Sequence, residues 1–225
     1  MFKWAFILRK LIFSKTRFRH YSQFGEDAAI PCFLEKRKNG FFVDVGCFHP
    51  WKYNNTYAFY RRGWRGINID LDQIKIDAFK LVRPRDWNVH AAVSDVSGTV
   101  DCYGLGTWSL LSSLDRTEAE RYSQGGRNGP LEIRVRSVRT RTLDEIIEET
   151  PFRNQQIDLL SVDTEGHDLH VLKSLSIEKY KPSLILVESH AKCLEELMAS
   201  ELHAYLVSRK YRMVNWVGLT VFYTP

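Results

Sequence analysis

Two short stretches concentrate the side chains that could do chemistry: "SVDTEGH" at residues 161–167 and "VESH" at residues 187–190. The first supplies Asp163, Glu165 and His167, the second Glu188 and His190. Each follows an apolar run of strand length, and catalytic groups gather at the carboxyl ends of parallel strands. Carboxylates and imidazoles therefore converge on one edge of a sheet. Two chemistries are open. An imidazole of His167 or His190, with an ordinary pKa of about 6.5, can take a proton from a reacting hydroxyl, an effect worth roughly 10²–10⁴-fold. Glu165 would then orient the acceptor, because an unshifted carboxylate is a weak base. Alternatively, Asp163, Glu188 and His190 form an oxygen-rich set for Mg²⁺ or Mn²⁺, which would lower the pKa of a bound hydroxyl. A structural use also exists, since Glu165 and Asp168 suit the first turn of a helix.

A second constellation lies upstream, in "FFVDVGCFHPWKYNNTYAFYRRGWRGINIDLD", residues 41–72. Gly46 follows an apolar strand and lets the backbone come close to a ligand. The further glycines that a pyrophosphate needs are replaced by Cys47, Phe48, His49 and Pro50. The turn thus suits a cofactor without phosphate, such as S-adenosylmethionine, and disfavours a dinucleotide. Asp70 ends the next strand about 25 residues later, the usual distance for an acid that accepts two vicinal ribose hydroxyls. The alternative use of Asp70 or Asp72 is to cap the following helix.

These residues need a frame. Strands are expected at 41–46, 66–71, 87–94, 99–104, 131–138, 157–163 and 183–190, from apolar runs and alternation. Helices are expected at 56–63, with Asn54 or Asn55 as cap, and at 73–82, 142–149, 166–175 and 192–210. The chain closes as two strands around Gly218 with almost no linker, so one must run antiparallel. Alternating strands and helices imply an α/β fold: a doubly wound, mostly parallel, Rossmann-like sheet of about seven strands ending in an antiparallel hairpin. Residues 104–130 are rich in Gly, Ser and charge and long for a connection, which points to a functional segment shaping the acceptor pocket. Trp108 within it could stack on a ligand's ring.

Composition narrows the field. The 225 residues, 44% hydrophobic, suffice for one sizeable core, and the formal net charge is +5. Four cysteines, far apart, form no CxxC pair, which disfavours a zinc ribbon or a disulfide framework and suits a reducing, cytoplasmic setting. Residues 1–20 form a separate basic segment, "MFKWAFILRKLIFSKTRFRH", with six Lys or Arg and no acid. Its apolar run is too short to span a bilayer. It either packs as a helix or lies on an anionic, inner membrane face through residues 1–19. Residues 21–225 make the main domain. No RNA-binding module is visible, and the basic residues cluster only at the N-terminus and in "RVRSVRTR", so no nucleic acid is expected as partner.

The blocks "YSQFGED" (21–27), "FVDVGCFHPWKYNNTY" (42–57), "GWRGINID" (63–70), "AAVSD" (91–95), "TLDEI" (142–146), "IDLLSVDTEGHDLHVLKS" (157–174) and "LILVESH" (184–190) occur in an order that resembles the FkbM-type methyltransferases. The resemblance implies a class I S-adenosylmethionine-dependent fold and O-methylation of a hydroxyl on a sugar, polysaccharide or glycolipid. It implies that Gln23, Glu26 and Asp27 approach the cofactor's amino-acid end. Asp44 and Gly46 would form the floor of the site, with Asn55 and Thr56 at the following helix start. Asp70 would hold ribose, and Ala92 and Ser94 would flank adenine. "CFHP" departs from the family's usual glycine-bearing turn and blurs which backbone groups meet the methionine tail. The competing classes are a methyltransferase for RNA or another small molecule, and a non-enzymatic binding protein on the same fold.

Overall fold

The computed structural model describes residues 20–34, 38–104, 112–124 and 131–225. The basic segment 1–19, Trp108, and stretches 105–111 and 125–130 lie outside the described residues. Seven strands form the main sheet: β1 (Phe41–Val45), β2 (Arg65–Asp70), β3 (Trp87–His90), β8 (Leu159–Val162), β9 (Leu184–Glu188), β10 (Arg212–Val217) and β11 (Thr220–Thr224). Their order is β10-β11-β9-β8-β1-β2-β3. The pairs from β9 through β3 are parallel, while β11 runs antiparallel to both β9 and β10. This is the doubly wound sheet with a terminal hairpin that the sequence predicts.

Alternation along β1 shows why both faces are covered. Phe41, Val43 and Val45 join one core with Leu143, Ile146, Val171, Leu172 and Leu206. Those partners come from α5 (Leu143–Glu148), α6 (Asp168–Lys173) and α9 (Glu201–Ser208). Phe42 points the other way, into a second core with Phe59 and Tyr60 of α2 (Tyr57–Arg61), Leu159 and Phe222. A strand buried on both faces needs such a mostly apolar run, and its one polar residue, Asp44, is buried with Asn54 and Thr56 as partners.

Four expectations need correction. The stretch 87–94 is not one strand. It breaks at Ala91, and Ala92–Val93 is β4 of a separate four-stranded sheet, ordered β4-β7-β5-β6. That sheet also holds β5 (Gly98–Gly104), β6 (Ser112–Ser113) and β7 (Arg134–Arg141), the last running three residues beyond the predicted strand. Residues 192–210 form two helices, α8 (Leu194–Met198) and α9, because the Ser200 side chain accepts from His203 N at 3.1 Å and starts a new one. Neither Asn54 nor Asn55 caps α2, whose N-cap is Thr56. Instead Asn54 Oδ1 accepts from Thr56 N at 3.1 Å. The remaining helices are α1 (Glu26–Ala29), α3 (Gln73–Val82), α4 (Arg116–Ser123) and α7 (Ile177–Tyr180). No described helix is long and apolar enough to cross a membrane.

Candidate functional site

The strand order reverses between β1 and β8, and the site opens there. Gly46, just past β1, adopts φ +76°, and its N–H donates to Ile69 O at 2.9 Å. A Cβ at this position would stand 1.7 Å from the carbonyl oxygen of Asp163. Glycine is therefore required by the neighbouring strand as well as by the left-handed backbone. Above this crossing lies an open cleft, lined among others by Gly46, Phe48, Asp70, Lys75, Ala92 and Glu165. Asp163 and His167 line it too.

At one end Asp70 closes β2. Its Oδ1 accepts from Asp72 N at 2.8 Å and its Oδ2 from Phe48 N at 3.1 Å. Asp72 takes the capping role instead, accepting from Ile74 N at 3.1 Å, so Asp70 stays turned to the cleft. Lys75 Nζ, itself buried, lies 3.5 Å from Asp70 Oδ2 and 5.2 Å from the centre of the Phe48 ring. Burial raises the pKa of Asp70, while Lys75 and the two N–H donors hold it down. Each carboxylate oxygen retains acceptor capacity for a hydroxyl. Small Ala91 and Ala92 leave room for a flat ring beside it. The residues at this end thus fit an adenosine without phosphate.

At the other end the β8–α6 turn carries Asp163, Thr164, Glu165 and Gly166. Glu165 has φ +54° and Gly166 φ +93°, two left-handed residues in succession. Asp168 braces the turn, accepting from Thr164 N at 2.9 Å and Thr164 Oγ1 at 3.0 Å, and burial lifts its pKa to about 6. Desolvation in the turn, and then mutual repulsion among carboxylates, push Asp163 and Glu188 far above the usual range, although Asp163 is exposed on the cleft side and Glu188 is half-buried. Both shifts run upward, so the neighbouring pair favours retaining a proton. Glu188 Oε2 is buried without a hydrogen-bond partner and lies 3.6 Å from His190 Nε2. Tyr122 of α4 reaches into this group: its hydroxyl donates to Glu165 Oε2 at 2.6 Å and lies 3.1 Å from His190 Nε2. Burial and Glu165 raise the phenol's pKa.

The cation set expected from the sequence changes accordingly. Among the described residues, the ligand atoms within 4.8 Å of one another belong to Glu165, Glu188 and His190, not Asp163. Asp163 turns to Glu188, and the Tyr122 hydroxyl stands between Glu165 and His190.

The two histidines expected together are split. His167 Nε2 lies 3.0 Å from Ser94 Oγ, and its ring stacks on His170 with centroids 4.4 Å apart. Burial, then the His170 charge, lower its pKa to about 4, so it is neutral at neutral pH. Ser94 and His167 thus pair at the end of β4, while Glu188 and His190 stand at and just past the end of β9, beside Glu165.

Other expected contacts fall elsewhere. Gln23 is exposed. Glu26 accepts from Phe24 N at 2.7 Å and Thr220 Oγ1 at 3.1 Å, tying α1 to the terminal hairpin. Asp27 accepts from Tyr21 N and Ser22 Oγ, both at 2.8 Å. Asp44 accepts from Asn54 Nδ2 at 3.0 Å and Thr56 Oγ1 at 2.8 Å, beneath the turn rather than in the cleft. Thr56 in turn accepts from Arg83, which is fully buried, paired with Asp86 at 2.8 Å and ringed by Phe42, Tyr60 and Phe79. Asn55 Nδ2 donates to Ser161 Oγ at 3.2 Å. These polar groups hold the frame of the site. Phe48, Lys75 and Tyr122 carried no signal in the sequence, since each is an ordinary residue of a turn or helix.

The Methyltransferase FkbM domain model matches residues 39–213. The fold is similar to the crystal structure of Methyltransferase FkbM from Methylobacillus flagellatus KT, at TM-score 0.54 and 15% identity. That alignment covers 87% of this chain but only 46% of the Methylobacillus chain. A TehB-like SAM-dependent methyltransferase from Corynebacterium glutamicum aligns over 99% of this chain and 96% of its own, at 12% identity and TM-score 0.43. Among curated protein sequences none matches.

Proposed function

The chain belongs to the FkbM family of S-adenosylmethionine-dependent methyltransferases, and from that premise we propose that its cleft methylates a hydroxyl of a sugar, polysaccharide or glycolipid. The observation that carries this reading is the cleft itself, set over the β1–β8 crossing with Asp70 at one end and the Asp163–Glu165 turn at the other. Asp70 would accept the ribose hydroxyls, with Ala92 beside the adenine and Gly46 beneath. When bound, S-adenosylmethionine supplies an electrophilic methyl group on a sulfonium. The chain's own residues must then position a hydroxyl and accept its proton. In this reading Glu165 orients that hydroxyl and His190, 3.6 Å from Glu188 Oε2, takes the proton. His167 is the poorer base, because its lowered pKa leaves little proton affinity. Acidic groups at this end also favour a cationic sulfonium.

Calorimetry with S-adenosylmethionine, NAD and a short RNA, followed by transfer of a labelled methyl group to methyl glycosides and polysaccharide, tests the reading. Binding of S-adenosylmethionine with label in the sugar supports it. Label in RNA, or no affinity for S-adenosylmethionine, sinks it. We further propose that residues 1–19 bring the enzyme to an anionic, inner membrane face. Deleting them should reduce binding to anionic liposomes, most clearly at low salt, and a full-length chain that ignores such liposomes would refute this.

A further inference from the structure

We propose that the space between the Glu165 carboxylate and the His190 imidazole is the seat of the acceptor's hydroxyl, and that Tyr122 fills it until the acceptor arrives. This rests on the reading of the acceptor as a hydroxyl compound. The phenol donates to Glu165 Oε2 at 2.6 Å and reaches His190 Nε2 at 3.1 Å. A sugar hydroxyl has the same inventory, one donor and two lone pairs, so it can make both contacts in the phenol's place. The two partners come from different strand ends, the turn after β8 and the residues after β9, and only a group between them meets both. Once there, the hydroxyl is oriented by Glu165, with His190 Nε2 in reach of its proton and its lone pairs left for reaction. The orienting carboxylate belongs to a residue lining the cleft.

The element carrying Tyr122 is built to yield. In α4, Arg116, Thr117, Glu120 and Arg121 are exposed, and Ala119 and Ser123 are the buried residues whose side chains are described. The segment before α4 is held more firmly: Ser113 Oγ donates to Glu165 O at 2.6 Å, and Leu114 lines the cleft. At its far end Leu131 N donates to Ser123 O at 2.8 Å, so the helix swings from its fixed start only as that bond gives. Replacing one hydroxyl by another conserves the hydrogen bonds, so the exchange is set by the acceptor's remaining contacts.

The test uses the full chain saturated with S-adenosylhomocysteine, with its tyrosines replaced by 3-fluorotyrosine. The resonance missing from the Tyr122→Phe spectrum identifies position 122. Methyl glycosides are the probe, titrated in parallel by calorimetry. The expected result is that the position-122 resonance moves and saturates along the calorimetric binding curve. Tyr122→Phe should bind the same glycoside about three- to tenfold more tightly, and Glu165→Gln at least tenfold more weakly. A glycoside that binds while the resonance stays fixed overturns the inference and leaves the sugar reading standing. So does a Tyr122→Phe variant that binds more weakly, or whose turnover falls a hundredfold at unchanged KM, since the phenol would then act with the acceptor. If no glycoside binds or takes label, the sugar reading fails and the inference falls with it.

Discussion

Glu188→Gln should stabilise the protein, and only where the unfolded chain is ionised. The carboxyl of Glu188 is 9% exposed, and its pKa is pushed up to about 11 by burial and by Asp163, Glu165 and Asp168. The sign follows from linkage. Below about pH 4.5 the group is protonated in both states and costs nothing. Above it the unfolded chain releases a proton that the fold retains, and stability falls by about 1.4 kcal/mol per pH unit until the folded pKa is reached. At pH 7.5 three such units amount to about 4 kcal/mol, whatever the folded pKa, provided it exceeds the assay pH. An amide at position 188 needs no proton and still donates to Asp163. Because that proton is shared with Asp163, part of the cost persists, and the gain should be about 2–4 kcal/mol. For a chain of this length that is about 4–16 °C in Tm. Calorimetric melts at pH 4.5, 6 and 7.5 should show the gain growing with pH from near zero. A variant that is less stable at pH 7.5, or a difference that does not change with pH, would show that Glu188 is ionised in the fold.

Asp70→Ala should weaken S-adenosylmethionine binding by about 1–3 kcal/mol in calorimetry, the usual cost of a lost charged hydrogen bond. It should also destabilise the fold, since Lys75 is left as a buried charge without its partner at 3.5 Å. Gly46→Ala should lower stability by about 3 kcal/mol or more: about 1–2 for the left-handed backbone and the rest for displacing the Asp163 carbonyl. A denaturant midpoint within error of the parent would contradict the contact. Chelation with EDTA should leave methyl transfer intact, because Glu165 and His190 are bridged by the Tyr122 hydroxyl in the resting chain and, in this reading, by the acceptor's hydroxyl during turnover. Activity abolished by EDTA and restored by Mg²⁺ or Mn²⁺ would reverse that assignment.

Local chemistry made much of this readable. Thr142 and Glu145 form the reciprocal cap that their spacing announces, and Asp72 caps α3. Asp70, Asp163 and Glu188 stand at or just past the ends of β2, β8 and β9, where periodicity puts them. What stayed hidden depends on tertiary pairing. Nothing in "WNVHAAVS" marks Ala91 as the point where the chain changes sheets, because both halves are equally extended. Ser200 could have been read as a cap, but the apolar spacing of 192–210 continues through it. Asp44 resembles a cofactor ligand in sequence, yet its partners are Asn54 and Thr56, and that choice is made by the buried Arg83 below. Lys75 is buried while its neighbour Ile74 is exposed, the reverse of what hydrophobicity suggests, because Asp70 draws the ammonium inward.

The left-handed Glu165 bears on how such a chain would decay. A residue with a Cβ costs about 1–2 kcal/mol at φ +54°, whereas glycine or asparagine would sit there with far less strain. A change to glycine would relieve the backbone, at the cost of the acceptor that the Tyr122 hydroxyl uses 2.6 Å away. Beyond that contact, purifying selection for the carboxylate is what opposes it. In lineages that stop using the reaction, position 165 should be among the first in the cleft to change, well before Gly46 or Asp44. The identity of that one residue is thus a marker for sorting living copies of this fold from relics.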